Sequence, residues 1–246
     1  MVAMAMEEEI AQIKNNVQAV KDRIRIAAEK VQRDPGDVKL VAVTKLMSLE
    51  TIEAGVKAGL RCFGENYPEQ AAEKISALKV DETIEWHMIG HVQSRKSETV
   101  CHYFDMVHSV DRIKIARYLD RFSRERSHPM PVLLEVNLSG EESKYGWGTS
   151  EESCWANLIP EFQEIAALPN IDVRGLMSMP PLFDDPERTR PIYQRLKRLQ
   201  QFLREAVPSA SWRELSIGTS FDFEVAVEEG ATMVRIGTEI FGERPG

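Results

Sequence analysis

Residues 39–45 read Lys39-Leu-Val-Ala-Val-Thr-Lys45. The run is short, apolar and β-branched, which predicts a fully buried strand. A lysine at the end of such a strand is out of place as packing. Its ammonium must be solvated, paired or used. Burial lowers a lysine's pKa by disfavouring the charged form, and that makes the amine nucleophilic near neutral pH. The plainer alternative is a strand-end lysine that snorkels to solvent. These seven residues alone leave both readings open.

Working outward from this strand, the chain alternates. Upstream, Ile10, Ile13, Val17, Val20, Ile24 and Ala27 or Ala28 share one helical stripe, so residues 8–31 are expected to form a helix. The break at Arg33-Asp-Pro-Gly36 then leads into the strand. Downstream, a helix capped by Ser48 should run to a stop at Gly59. Strands follow at 61–65, 85–89, 105–110, 131–137, 173–177, 214–218 and 232–236. Helices are expected between them at 68–78, 94–104, 112–124, 151–168, 187–206 and around 221–229. Such alternation implies a parallel sheet with helical crossovers. Eight strands in one domain-sized chain predict a closed (β/α)8 TIM barrel, an α/β single domain with an extra N-terminal helix. An open doubly wound sheet is the alternative. The barrel is expected over 8–246, with residues 1–7 a disordered tail.

Bulk properties narrow the function. The chain has 246 residues, 43% of them hydrophobic, enough for a sizeable core. A net charge of −8 argues against a general nucleic-acid binder, which would carry basic excess. Cys62, Cys101 and Cys154 are widely spaced and form no CxxC, as suits thiols in a reducing compartment. No stretch of about 18 apolar residues suggests a membrane span. The N-terminus runs from small apolar residues into Glu7-Glu-Glu9 and lacks the form of a secretory signal. The cytoplasm is the expected location.

In such a barrel, chemistry sits at the C-terminal strand ends. Lys45, Glu65-Asn66-Tyr67, His91, Asp111, Asn137, Met177-Ser-Met179, Ser216-Ile-Gly218 and Arg235-Ile-Gly-Thr238 fall there. The last two strands end in Gly/Ser/Thr clusters, where barrels commonly bind phosphate. Two ordinary helix caps would look similar. Arg235 lies between Val234 and Ile236, so alternation points it into the barrel mouth if those two pack on helices. A structural ion pair is the other reading of that arginine. His87 and His91 are spaced i, i+4 but fall on a strand and its turn, without acidic or cysteine partners at regular spacing. No metal site is expected. The methionines read as core, although Met177 and Met179 flank a strand end and suit a pocket wall. No Walker loop, GxSxG elbow or GxGxxG is present.

Taken in order, these residues form a larger pattern. Val-Ala-Val-Thr-Lys45 is followed by Phe63-Gly-Glu-Asn-Tyr67, then Trp86-His-Met-Ile-Gly90 with Gln93 and Lys96. Val136-Asn137, Ser143-Lys144 with Gly146, Arg174-Gly-Leu-Met177, Ser216-Ile-Gly218, Val234-Arg-Ile-Gly-Thr238 and Phe241-Gly242 complete it. The chain closely resembles the pyridoxal phosphate homeostasis protein family over nearly its whole length after about residue 8. The resemblance implies the barrel of fold-type III proteins that bind pyridoxal 5'-phosphate (PLP), similar to the N-terminal domain of alanine racemase. It implies that Lys45 forms a Schiff base with PLP. Ser216, Gly237 and Thr238, with Gly218 nearby, match phosphate-binding positions. Arg235 matches the arginine facing the pyridine nitrogen, and Asn66, His87 and Met177 are expected to line the pocket. His91, Arg95, Ile217 and Thr219 depart from the usual pattern at the pocket rim.

The resemblance also implies a binder and distributor of PLP, with PLP-dependent apo-enzymes as partners and no strong turnover. A racemase or related small PLP enzyme is the alternative. The tyrosine base that racemases of similar fold bring from a second, β-rich domain finds no counterpart, since the sequence runs only a few residues past the eighth strand. Lacking a swapped domain, the chain is expected to be a monomer. A barrel for another phosphorylated metabolite is the third reading.

Overall fold

The computed structural model describes residues 2–78, 83–141 and 143–243. The chain opens with α1 (Val2–Lys30), β1 (Lys39–Val43), α2 (Leu49–Lys57), β2 (Cys62–Glu65) and α3 (Pro68–Ala77). Next come β3 (Glu85–Met88), α4 (Ser97–Tyr103), β4 (Met106–Val110), α5 (Ile113–Phe122) and β5 (Met130–Asn137). A two-residue β6 (Trp147–Gly148) precedes α6 (Ile159–Ala166), β7 (Ile171–Met177) and α7 (Arg190–Ala206). The chain closes with β8 (Glu214–Ser216), α8 (Phe223–Glu228), β9 (Met233–Ile236) and α9 (Thr238–Phe241).

All the strand pairings are parallel, and the order β4-β3-β2-β1-β9-β8-β7-β5 is closed into a ring by β4 against β5. The fold is therefore the closed (β/α)8 barrel, not the open doubly wound sheet. β6 lies outside the ring on β5, inside the stretch 139–150 that reads as loop in the sequence. A tryptophan and a glycine pairing with Val136 and Asn137 are too short a run to carry an alternation pattern that would reveal a strand.

Strand alternation builds two cores. Val41, Cys62, Met106, Leu133, Met177 and Met233 fill the barrel interior. Their neighbours along the strands, such as Ala42, Phe63, Val107, Leu134, Leu176 and Val234, face the helices. The predicted stripe of α1 is buried: Ile13, Val17, Val20, Ile24, Ala27 and Ala28. α1 packs on α8, α2 and α9. Arg23 ties it there, bonding Glu224 at 3.1 Å and Glu239 at 2.9 Å while its guanidinium lies over the Phe223 ring.

The helix begins at Val2, so the disordered tail expected over residues 1–7 is corrected from residue 2 onward. Alanine, methionine and glutamate are strong helix formers, and Met6 packs against the core. Met1 and residues 244–246 lie outside the described residues. The helices expected over 151–168 and 187–206 each split into a 3-10 segment and an α-helix. The α-helices start around Pro160 and Pro191, because proline lacks the N–H that would continue a helix from upstream.

Among the glycines described, Gly175 has the closest neighbour. A Cβ there would stand 1.9 Å from the Glu214 carbonyl oxygen on β8. The pairing of β5 with β7 shifts register beside it, Val132 opposing Val173 and Leu133 opposing Gly175. Gly175→Ala is therefore expected to force β7 and β8 apart and cost about 3 kcal/mol, read as a fall in the thermal unfolding midpoint. An unchanged midpoint would show that the barrel absorbs the methyl at this seam.

Candidate functional site

β1 delivers Lys45. Thr44 N–H continues the pairing onto Gly64, and the chain then turns through Leu46, which has φ +65°. Lys45 emerges half-buried on the wall of a cavity of about 270 Å³ at the C-terminal end of the barrel. Asn66, Ile89, Met179, Thr219, Ser220, Phe221, Arg235, Gly237 and Thr238 complete most of that wall. Beneath Lys45, Glu65 is fully buried. Its Oε1 accepts from Thr44 Oγ1 at 2.9 Å and from Lys74 Nζ at 2.8 Å.

Asn66 follows directly after β2. Its Oδ1 is buried without a hydrogen-bond partner among the described residues. Its position depends on Gly90, where a Cβ would fall 2.6 Å from the Asn66 carbonyl oxygen. An unsatisfied buried acceptor costs about 1–3 kcal/mol, so this site favours an incoming donor.

Arg235 is 5% exposed and points inward, because Val234 and Ile236 pack against the helices as alternation requires. Its Nη1 donates to Ser216 O at 2.7 Å and Ser216 Oγ at 2.5 Å. Its Nη2 donates to Ser178 O at 3.2 Å and Met179 Sδ at 2.8 Å. These partners are neutral, so these contacts are not the structural ion pair that the sequence also allowed. Bonds from a charged donor contribute roughly 1.5–3 kcal/mol each, which offsets the cost of about several kcal/mol for burying an ion. Burial lowers the guanidinium's pKa, while Tyr193, Asp222 and Glu135 act to raise it.

The alanine racemase N-terminal domain family matches residues 15–245. The pyridoxal phosphate homeostasis protein of Vibrio alginolyticus is 40% identical over 238 residues, 96% of this chain and 99% of the relative. The protein of that name from Escherichia coli K12 is 36% identical, covering 94% and 97%. The chain belongs to the pyridoxal phosphate homeostasis protein family. PipY of Synechococcus elongatus, solved with PLP bound, superposes with a TM-score of 0.81 at 31% identity, over 94% of this chain and 100% of PipY. Clostridium difficile alanine racemase shares the fold, with a TM-score of 0.69 at 17% identity, over 96% of this chain and 60% of the racemase.

Of the residues that this family pattern singles out, Lys45, Asn66, Arg235, Gly237 and Thr238 come together around the cavity. Four others do not line it. His87 is buried deeper in the barrel, its Nδ1 2.9 Å from His108 Nε2. Met177 lies among the interior apolar residues, and Met179, one strand repeat further on, takes the wall position. Ser216 sits under Arg235, with its Oγ 2.8 Å from His108 Nδ1. Gly218 shapes the turn, with φ +88° and its carbonyl accepting from Arg235 N–H. A Cβ on Gly218 would meet Ala226 Cβ at 2.6 Å, so α8 packs directly on it. Ile89 and Phe221 were missed by the sequence reading. Counting two residues beyond His87 would have found Ile89.

At the rim, His91 stacks on Tyr145 at 3.9 Å. Thr219 is held by Asp222, its N–H donating to Oδ1 at 2.8 Å. Arg95 turns to Gln93.

Glu135, near the C-terminal end of β5, has its carboxyl shifted by its surroundings. Burial, then Asp111, push its carboxyl from the ordinary 4.5 up to about 7, against the pull of Arg235. The folded chain thus keeps a proton that the unfolded chain loses between those values. This contribution to stability is present below pH 4.5 and is lost as pH rises through about 7. Glu135→Gln should remove that slope. Thermal midpoints of parent and variant between pH 4 and 8 (about half a unit below the window to about one unit above it) should diverge in the variant's favour as pH rises. Parallel curves would contradict the assignment.

Proposed function

We propose that this chain binds pyridoxal 5'-phosphate through Lys45 and serves the balance of the PLP pool as a store or carrier. The observation that carries the reading is the meeting of Lys45, Asn66, Arg235, Gly237 and Thr238 around one cavity. PLP offers an aldehyde, a ring nitrogen, a ring hydroxyl and a phosphate, and the cavity has a counterpart for each. Lys45 supplies the amine for the aldehyde, with water leaving as the imine forms. Asn66 Oδ1 is an acceptor in need of a donor such as the ring hydroxyl. Gly237 stands so close to β1 that a Cβ would lie 3.2 Å from Val43 O, and α9 opens at Thr238 with backbone N–H groups that have no partner within the helix. With Ser220, these are the phosphate donors. Thr219 is already committed to Asp222.

Arg235 bears on what the bound cofactor can do. It can only donate and does not give up its proton, so beside the ring nitrogen it keeps that atom unprotonated. When bound, PLP supplies an electron-withdrawing ring, strongest when that nitrogen is protonated. The arginine weakens this property, which suits holding the cofactor better than turnover. The relatives' name, a homeostasis protein, supports the same reading.

Cytoplasmic work as a monomer, handing PLP to apo-enzymes, goes with this proposal. Free thiols at Cys62, Cys101 and Cys154 suit a reducing compartment. Among the described residues, no helix is long and apolar enough to cross a membrane.

Lys45→Ala should stay folded, lose the visible band of the PLP imine, and bind PLP at least about tenfold more weakly through the phosphate donors alone. A retained band in this variant would assign the linkage to another lysine. Arg235→Glu should protonate the ring nitrogen and shift the bound spectrum. An unshifted spectrum at matched occupancy would mean that Arg235 does not face the ring.

A further inference from the structure

The opposite, N-terminal mouth of the barrel holds a second cavity, of about 430 Å³, lined by Lys39, Glu85, His87 and Asp105 among others. The parallel register of β2 and β3 sets Cys62 beside Glu85 and Gly64 beside His87. Alternation turns Cys62 and His87 into the barrel, so a thiol, an imidazole and a carboxylate converge on one point. His87 Nε2 lies 3.6 Å from Cys62 Sγ and 3.3 Å from Glu85 Oε2. All three donor atoms fall within 4.8 Å of one another.

Those separations have a metric meaning. Tetrahedral zinc bonds sulfur at about 2.3 Å and nitrogen or oxygen at about 2.0–2.1 Å, which makes the S···N edge about 3.5 Å and the N···O edge about 3.3 Å. The two edges shared by His87 already have these lengths. The remaining Sγ···Oε2 edge closes by rotation of Glu85, which is half exposed. We propose that Cys62, Glu85 and His87 form a binding site for a zinc-type divalent transition metal, with water from the cavity as the fourth ligand.

The surroundings support the assignment. A metal-bound histidine needs its other ring nitrogen fixed by a hydrogen bond. His87 Nδ1 has that partner in His108 Nε2 at 2.9 Å, and His108 Nδ1 is in turn 2.8 Å from Ser216 Oγ. With Nδ1–H donating to His108, the Nε2 lone pair points toward the thiol and the carboxylate. The thiolate and imidazole favour zinc or cobalt over magnesium or calcium. Lys39 Nζ competes for the site, 2.5 Å from Glu85 Oε2, but it is exposed enough to swing out. Zinc departs from the sequence-based expectation of no metal because the spacing test paired His87 with His91, which lies in the loop beyond the far end of the strand. The actual partners come from an adjacent strand and from two residues earlier.

Cobalt(II) is the probe. Added to the chelator-treated full chain, it should bind one ion per chain with a sulfur-to-cobalt charge-transfer band and the intense visible bands of a tetrahedral site, and zinc should bleach both. Cys62→Ser should abolish the charge-transfer band, whereas Cys101→Ser and Cys154→Ser should leave it. Glu85→Gln, at a half-exposed position that tolerates the change, should weaken binding at least tenfold. Lys39→Met should tighten it. No charge-transfer band in the parent, a band that survives Cys62→Ser, or one lost in Cys154→Ser would overturn the site. So would undiminished affinity in Glu85→Gln, or unchanged or weaker affinity in Lys39→Met.

Discussion

A guanidinium sealed inside the barrel and held by neutral groups is the constraint on which the rest of the site depends. Arg235 satisfies its donors on Ser216, Ser178 and Met179, which belong to β8 and the segment just after β7. Its backbone N–H is fixed by Gly218. One side chain on β9 thus sets how β7, β8 and β9 end relative to one another, and that arrangement places Ser220, Gly237 and Thr238 on the cavity wall. The charge cannot escape by deprotonation, so the cavity has a permanently cationic floor. A ligand with an acceptor at depth and an anion near the rim matches it.

The polar interior continues downward from Arg235. Ser216, His108, His87 and Glu85 follow one another through contacts of 2.8, 2.9 and 3.3 Å. Burial lowers the pKa of both imidazoles, most strongly that of His108, where the neighbouring His87 and Arg235 act in the same direction. Neutral imidazoles can each donate on one side and accept on the other. The column therefore joins the cofactor face of the barrel to its N-terminal mouth without introducing a second buried cation.

The fold was largely legible because a parallel barrel repeats a simple pattern. Apolar runs such as 41–43 and 130–134 are buried on both faces, and helices such as α5 and α7 carry the amphipathic spacing that covers them. β6 was hidden because pairing with Val136 and Asn137 demands backbone geometry and no particular residue type. The site was legible where a residue must emerge at the rim, as with Lys45 and Gly237. Depth was harder to read. Strand residues two apart share a face but differ in height by about 6.7 Å, enough to move a side chain from the cavity wall into the interior. His87 and Met177 lie one repeat too deep, and Ile89 and Met179 stand on the wall instead, Met179 being one that the sequence had offered beside Met177.

Covalent capture of PLP by the lysine that follows β1 is open to a single chemical test: borohydride reduction of the PLP-loaded chain, followed by proteolysis and mass mapping. One pyridoxyl group per chain is expected, on the peptide containing Lys45. A stoichiometric adduct elsewhere would contradict it, above all on Lys144, whose Nζ bonds the Met179 carbonyl at 3.0 Å beside the same cavity.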